Sequence, residues 1–268
     1  MIKLIAIDLD DTLLNEKKEI SSENKLALKK AAQNNIKIVI ASGRPFFRVY
    51  PILELIELNS EDNYVISYNG GYISNCTNTK IIKRELLTKE DIAEITNEIE
   101  KYHLDYTIYV DDDIYTLGIS SQIKDKLVFR GISFKIINKD DIKKLPYANK
   151  IIIADKEEKI KKVVEDIKMH MSSRYNVVKS AQNFLEFLPL RANKGIALKE
   201  LMNFLKIDKT DVAAIGDEEN DLSMMECANY KIAMGNANPI LKKQATFITL
   251  DQNHSGVAAA IKHLLTNE

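Results

Sequence analysis

The sequence contains only two cysteines, Cys76 and Cys227, and neither stands at a spacing that pairs metal ligands. A disulfide framework is thereby excluded, and a reducing cytoplasm is the default location. Charge of one sign is also missing: 38 Lys+Arg against 39 Asp+Glu leave a net charge of −1. With no basic excess and no basic stripe, nothing marks a general nucleic-acid binder, and no nucleic-acid partner is expected. No apolar run approaches the ~18 residues of a membrane span. The apolar opening stretch is interrupted by Asp8, Asp10 and Asp11, so it reads as neither a signal peptide nor a membrane anchor. The four histidines, His103, His170, His254 and His263, show no metal-ligand spacing and no Ser-His-Asp arrangement. Internal repeats and low-complexity linkers are absent as well.

What is there is a soluble, globular composition, 45% hydrophobic and 29% charged over 268 residues. At about 150 residues per domain that length fits one large domain or two modest ones. The first stretch alternates short apolar runs (3–7, 36–41, 64–67) with amphipathic helices. The first of these helices is capped by Ser21 or Ser22, and the second has Pro45 at its first position. The same alternation returns near the end: helix at 194–205, strand at 212–215, helix at 222–227, strands at 231–234 and 247–250, and a last helix carrying Val257, Ile261, Leu264 and Leu265. Between them, helices at 89–102 and 156–171 carry one narrow apolar stripe each, as helices covering one side of a sheet do. Residues 105–117 read as a hairpin with an acidic turn. The tyrosines and acids of 109–115 are explained equally by that turn or by contact with a substrate. The expectation is an α/β protein with a Rossmann-like, doubly wound parallel sheet core formed by 1–82 and 187–268, and a second, α+β domain inserted at 83–186.

Four short segments carry chemistry. Asp8-Leu9-Asp10-Asp11-Thr12 ends the first strand, where open parallel sheets bind ligands. Two carboxylates there can divide the labour between an ionised nucleophile or metal ligand and a general acid, although acids also favour such loops in general. An EF-hand is excluded, because Leu13 occupies the position that needs glycine and the preceding residues read as strand. Ser42-Gly43-Arg44-Pro45 offers a hydroxyl and backbone N–H groups at a helix start, an anion site or simply a cap. Gly216-Asp217-Glu218-Glu219-Asn220-Asp221 follows another buried strand; it suits a hard cation such as Mg²⁺, or is an acidic helix start favoured by the dipole. Lys194 sits at a helix entrance, where a cation would balance an acidic cleft; most lysines are only surface residues. All four fall after strands or at helix starts, and together they suit phosphoryl transfer through an aspartyl-phosphate.

In the order Asp-x-Asp-x-Thr, Ser-Gly-Arg, Lys and Gly-Asp-x-x-Asn-Asp, the chain resembles the haloacid dehalogenase superfamily, and more narrowly its Cof-type phosphatases with a large inserted cap. Asn69-Gly70-Gly71, Leu185-Glu186-Phe187-Leu188-Pro189 ahead of Asn193-Lys194-Gly195, and His254-Ser255-Gly256-Val257-Ala258 add to the likeness. Two positions depart from the commonest pattern: Gly71 where alanine is more frequent, and Asp11 where glycine is.

The resemblance implies that Asp8 is the nucleophile, and that Asp10 protonates the leaving oxygen and then activates water. It implies Mg²⁺ held by Asp8, the backbone carbonyl of Asp10 and Asp217, with Asp221 as an outer or additional ligand. Ser42, the Gly43 amide and Lys194 would hold the phosphoryl oxygens, Asn220 would orient phosphate or carboxylates, and Thr12, Arg44 and Asn69 stand close by. The second Asp marks phosphoryl transfer, since a dehalogenase would lack it. The expected activity is Mg²⁺-dependent hydrolysis of small phosphate esters, sugar phosphates foremost, with the cap choosing the substrate and excluding bulk water. The rivals are a phosphomutase, which shares the aspartyl-phosphate, and a phospho-accepting signalling domain, which needs only about 120 residues and no cap.

Overall fold

The structure, a computed structural model, describes residues 1–118, 121, 123 and 132–266. Two compact units divide the chain: Met1–Arg84 with Asn193–Glu268, and Glu85–Ala192.

The first unit is built on an eight-stranded sheet. Its strands are β1 (Leu4–Asp8), β2 (Lys37–Ala41), β3 (Tyr64–Ser67), β4 (Tyr72–Asn75), β5 (Ile81–Arg84), β14 (Val212–Gly216), β15 (Tyr230–Ala233) and β16 (Phe247–Ile248), in the spatial order β16-β15-β14-β1-β2-β3-β4-β5. From β16 to β3 the neighbours are parallel; β4 and β5 extend the sheet antiparallel. The central strands are buried at every position, as their unbroken apolar runs require. Strand order reverses between β1 and β14, whose first residues pair Leu4 with Val212 and whose last bring Ile7 beside Ile215. That register ends both strands at one level, so the loops carrying Asp8–Thr12 and Asp217–Asp221 open side by side at the switch point.

Helices cover this sheet. Ser21, not Ser22, caps α1 (Ser22–Gln33) by accepting from the Asn24 amide. Pro45 stands one position earlier than expected, as the N-cap of α2 (Phe46–Leu55) with extended ψ of 155°. The last strand is shorter than its apolar run: β16 spans two residues, and exposed Leu250 lies beyond it. The antiparallel pair β4–β5 was not expected from sequence; Thr77–Lys80 are turn-forming polar residues, and β5 alternates too weakly to register as a buried strand.

The second unit carries a six-stranded sheet in the order β12 (Tyr175–Ala181), β13 (Phe184–Pro189), β11 (Lys150–Ala154), β7 (Tyr106–Val110), β8 (Asp113–Thr116), β9 (Lys135–Ile136), antiparallel except at its β8–β9 edge, plus the short pair β6 (Leu87–Thr88) and β10 (Tyr147–Ala148). The predicted hairpin is β7 (Tyr106–Val110) and β8 (Asp113–Thr116), turning at Asp111-Asp112. Helices α3 (Lys89–Lys101) and α5 (Glu157–Met171), with the short α4 (Lys139–Ile142) between them in the chain, pack Ile92, Ile95, Ile99, Ile160, Val164 and Ile167 into one core with Ile151, Ile153 and Phe187 of the sheet. The second boundary falls at Ala192/Asn193 rather than at 186/187, because β13 (Phe184–Pro189) pairs along its whole length with β11 (Lys150–Ala154) and β12 (Tyr175–Ala181).

Candidate active site

Asp8 is the last residue of β1, and the residue is 7% exposed. One of its oxygens accepts from Lys194 Nζ at 2.5 Å. The other accepts from no donor among the described residues, which leaves it open toward a ligand. Lys194 is the first residue of α6 (Lys194–Leu205) and is 1% exposed. Its ammonium also donates to Asp221 Oδ1 at 2.7 Å. Burial by itself disfavours its charged form, but Asp221 and Asp8 outweigh burial and hold Lys194 charged well above its ordinary range.

Asp221 shares this buried position. Its second oxygen accepts from the amides of Asp217 (3.0 Å) and Glu218 (3.2 Å), so Oδ2 braces the loop that follows β14 while Oδ1 holds Lys194. The close turn needs Gly216, where a Cβ would lie 2.5 Å from Asp221 Oδ2. Asp217 faces Asp8: ligand oxygens of Asp8, Asp217 and Asp221 all lie within 4.8 Å of one another. Thr12, fully buried, donates its hydroxyl to Asp217 Oδ1 at 2.8 Å and so ties the first acidic loop to the last. Burial, with Asp221 adding repulsion, pushes the Asp217 carboxyl up to about 7 against the pull of Thr12. Burial likewise raises Asp8, which Lys194 opposes and Asp221 and Asp217 reinforce. Asp8 and Asp221 thus share one ammonium, and Asp217 stands beside them without a cation of its own among the described residues.

Asp10 points elsewhere. Arg44 grips it in a fork, Nε to Oδ2 at 2.9 Å and Nη2 to Oδ1 at 2.5 Å. Lys18 lies 3.4 Å from Asp10 and 3.1 Å from Asp11. Burial would raise the Asp10 carboxyl, but Arg44 and then Lys18 outweigh it and leave it below the usual range. The Asp10 carboxylate is therefore outside the oxygen cluster of Asp8, Asp217 and Asp221 among the described residues.

Ser42 opens the loop after β2; it is 1% exposed and its oxygen accepts from the Arg44 amide at 3.1 Å. Its hydroxyl hydrogen remains available to a ligand. Gly43 lies under the side chain of Asn69, and Asn220 donates to Asn69 Oδ1 at 3.2 Å. The residues picked out in the sequence, Asp8, Asp10, Thr12, Ser42, Gly43, Arg44, Asn69, Lys194, Asp217, Asn220 and Asp221, all belong to the first unit. Two supporting residues went unnoticed. Asn236 donates to the Asp11 carbonyl at 2.8 Å, and the Asn238 amide donates to the Asp217 carbonyl at 2.8 Å. The run Gly235-Asn236-Ala237-Asn238 directly after β15 was the available signal, since it repeats the strand-then-polar-turn pattern of the other loops.

A buried oxygen-only cluster, a fixed ammonium and a hydroxyl stand together at the switch point of a parallel sheet, where open α/β sheets bind their ligands. The family description of haloacid dehalogenase-like hydrolases matches residues 5–261, and the chain belongs to that family. YxeH of Bacillus subtilis is 33% identical over 271 residues, covering 99% of either chain. The 5-amino-6-(5-phospho-D-ribitylamino)uracil phosphatase YwtE of Bacillus subtilis is 31% identical over 294 residues, covering 100% of this chain and 99% of its own. A haloacid dehalogenase-like hydrolase of Bacteroides thetaiotaomicron superposes with a TM-score of 0.89 at 32% identity, covering 98% of this chain and 100% of its own. Within the family the chain is a phosphatase, of a group whose members act on small phosphorylated molecules. No helix among the described residues is long and apolar enough to cross a membrane.

Proposed function

We propose that the protein hydrolyses phosphate monoesters of small metabolites, sugar phosphates foremost, through an aspartyl-phosphate on Asp8 with Mg²⁺ as cofactor. The observation that carries this reading is the buried Asp8 carboxylate with one oxygen held by Lys194 and the other open. Support for the sugar-phosphate class comes from the relative whose name specifies a phosphorylated ribityl chain.

The donor set fits a divalent cation. Asp8 and Asp217 offer oxygens within 4.8 Å of each other, and the site carries more negative charge than Lys194 neutralises. Asp8, Asp217 and the Asp10 carbonyl would hold Mg²⁺. Asp221, its oxygens engaged by Lys194 and two amides, would act from outside. Bound there, the cation supplies charge neutralisation for the phosphoryl oxygens and keeps both carboxylates ionised.

The chain's own groups do the rest. The open oxygen of Asp8 attacks phosphorus, and the bond to the alcohol oxygen breaks. Ser42, the Gly43 amide, Lys194 and Asn220 hold the phosphoryl oxygens. Asp10 delivers a proton to the departing alcohol and then takes one from the water that attacks phosphorus, releasing inorganic phosphate and Asp8. The Arg44 fork keeps Asp10 in the carboxylate form that serves the second half; the first half requires Asp10 to take up a proton and leave the fork. The inserted unit, 85–192, is assigned the choice of substrate.

The test is phosphate release by the purified chain with Mg²⁺ across phosphorylated sugars, nucleotides, flavin and pyridoxal phosphates. Release from a sugar phosphate, abolished in Asp8→Asn, is expected. Substantial turnover by Asp8→Asn overturns the mechanism. Isomerised sugar phosphate without free phosphate would make the enzyme a phosphomutase instead.

A further inference from the structure

Three consecutive residues between β3 and β4 adopt left-handed backbone: Tyr68 (φ 53°), Asn69 (φ 53°) and Gly70 (φ 105°). Side-chain-bearing L residues visit this region singly and at a cost, bulky ones least of all. A run of three in a fully buried turn has to be held by its surroundings, and such conformations concentrate at functional sites.

The surroundings are the loops of the active site. The Tyr68 amide donates to the Arg44 carbonyl at 3.1 Å and the Asn69 amide to the Ser42 carbonyl at 3.0 Å, so the turn clamps the Ser42-Gly43-Arg44 loop by its backbone. Gly70 lies against Asn193, the cap of the helix that begins with Lys194; a Cβ at position 70 would stand 2.3 Å from the Asn193 carbonyl oxygen. The Asn69 side chain, itself 4% exposed, lies over Gly43, where a Cβ would come within 3.2 Å of its amide atoms. Its Oδ1 accepts from Asn220 Nδ2 at 3.2 Å, and its own Nδ2 has no acceptor among the described residues.

We propose that Asn69 is a positioning residue for phosphoryl transfer: its amide locks Asn220 and the Gly43 peptide in one arrangement around the phosphoryl group. This rests on the phosphatase reading above. A residue chosen only to tolerate left-handed backbone has no need of that contact, because asparagine and glycine both satisfy such a φ. In Asn69 the backbone preference and the side-chain contact are separable, and Asn69→Gly separates them.

The experiment compares wild type, Asn69→Gly, Asn220→Ala and the double variant, all with Mg²⁺. It measures kcat/KM on p-nitrophenyl phosphate, inorganic phosphate affinity by calorimetry, and Tm. Asn69→Gly is expected to keep its Tm while losing about tenfold in kcat/KM and in phosphate affinity, the scale of a misplaced binding group. Asn220→Ala should show the same defect, and the double variant should be no worse than either single one, because the pair acts as a unit. Wild-type kinetics and phosphate affinity in Asn69→Gly, or losses that multiply in the double variant, overturn the proposal. Asn220 is exposed, so Asn220→Ala keeps the fold whatever Asn69→Gly does; wild-type behaviour in that variant overturns the proposal too. If the wild type hydrolyses no ester, the phosphatase reading fails and the phosphate affinities alone decide: no difference between wild type and Asn69→Gly then overturns the role of Asn69.

Discussion

Lys194 Nζ stands 2.5 Å from a carboxylate oxygen of Asp8 and 2.7 Å from one of Asp221, and all three side chains are buried. Pairs of this kind are asymmetric: making them returns little net stability, but removing one partner leaves an uncompensated charge in low dielectric. Lys194→Met should therefore lower the unfolding free energy by about 3–5 kcal/mol, read by urea denaturation. Adding Asp221→Asn to it should cost less than the two single changes summed. A strictly additive result would mean that Lys194 and Asp221 do not interact.

Among the described residues, Thr12 alone makes a side-chain hydrogen bond to the Asp217 carboxylate. Thr12→Val keeps the shape and deletes the donor, so Asp217 loses the bond that orients its oxygen. Removing such an orienting partner typically costs about 10- to 100-fold in metal affinity. Mg²⁺ titration of the metal-stripped chain, followed by the rise in Tm, should show that loss in Thr12→Val. An unchanged titration would remove Asp217 from the metal site.

At Gly216 a Cβ would meet three atoms of Asp221 at 2.5–2.6 Å, inside any tolerable contact. Gly216→Ala must push aside a carboxylate that is tied to Lys194 and to two backbone amides. Overpacking of this kind costs about 1–3 kcal/mol, and phosphate release should fall with it. A variant with wild-type Tm and turnover would show that the loop yields freely.

Cys76 is 1% exposed, and burial pushes its thiol far above the usual range; Cys227 is raised by burial as well, though it is partly exposed. Since the thiolate is the reacting form, Cys76 should resist iodoacetamide at pH 8 in the folded chain and react fully in denaturant. Mass spectrometry of the alkylated protein decides this. Rapid native labelling at Cys76 would mean that the β4 end of the sheet opens readily.

The parallel core was legible because its strands are uninterrupted apolar runs and its helices have single apolar faces, patterns that depend only on local sequence. Asp8, Lys194, Asp217 and Asp221 were legible for a related reason: each stands at a strand end or helix start that the pattern already marks. Less visible were the antiparallel additions. Strand β5 joins β4 across a short turn that its weak alternation does not announce, while the full length of β13 is fixed by its pairing with β11 as well as β12, and the boundary between the units falls at Ala192/Asn193 on that account.

What the sequence determined by itself was the inventory: few cysteines, balanced charge, no long apolar run, and acids concentrated after two strands. Only the tertiary structure decided how those acids divide. It turned Asp10 into the Arg44 fork and away from Asp8, and spent both oxygens of Asp221 on Lys194 and backbone amides. It also made Asn69 the contact between Gly43 and Asn220. Such assignments depend on through-space distances of about 3 Å between residues up to 151 positions apart, and local pattern carries no information about them.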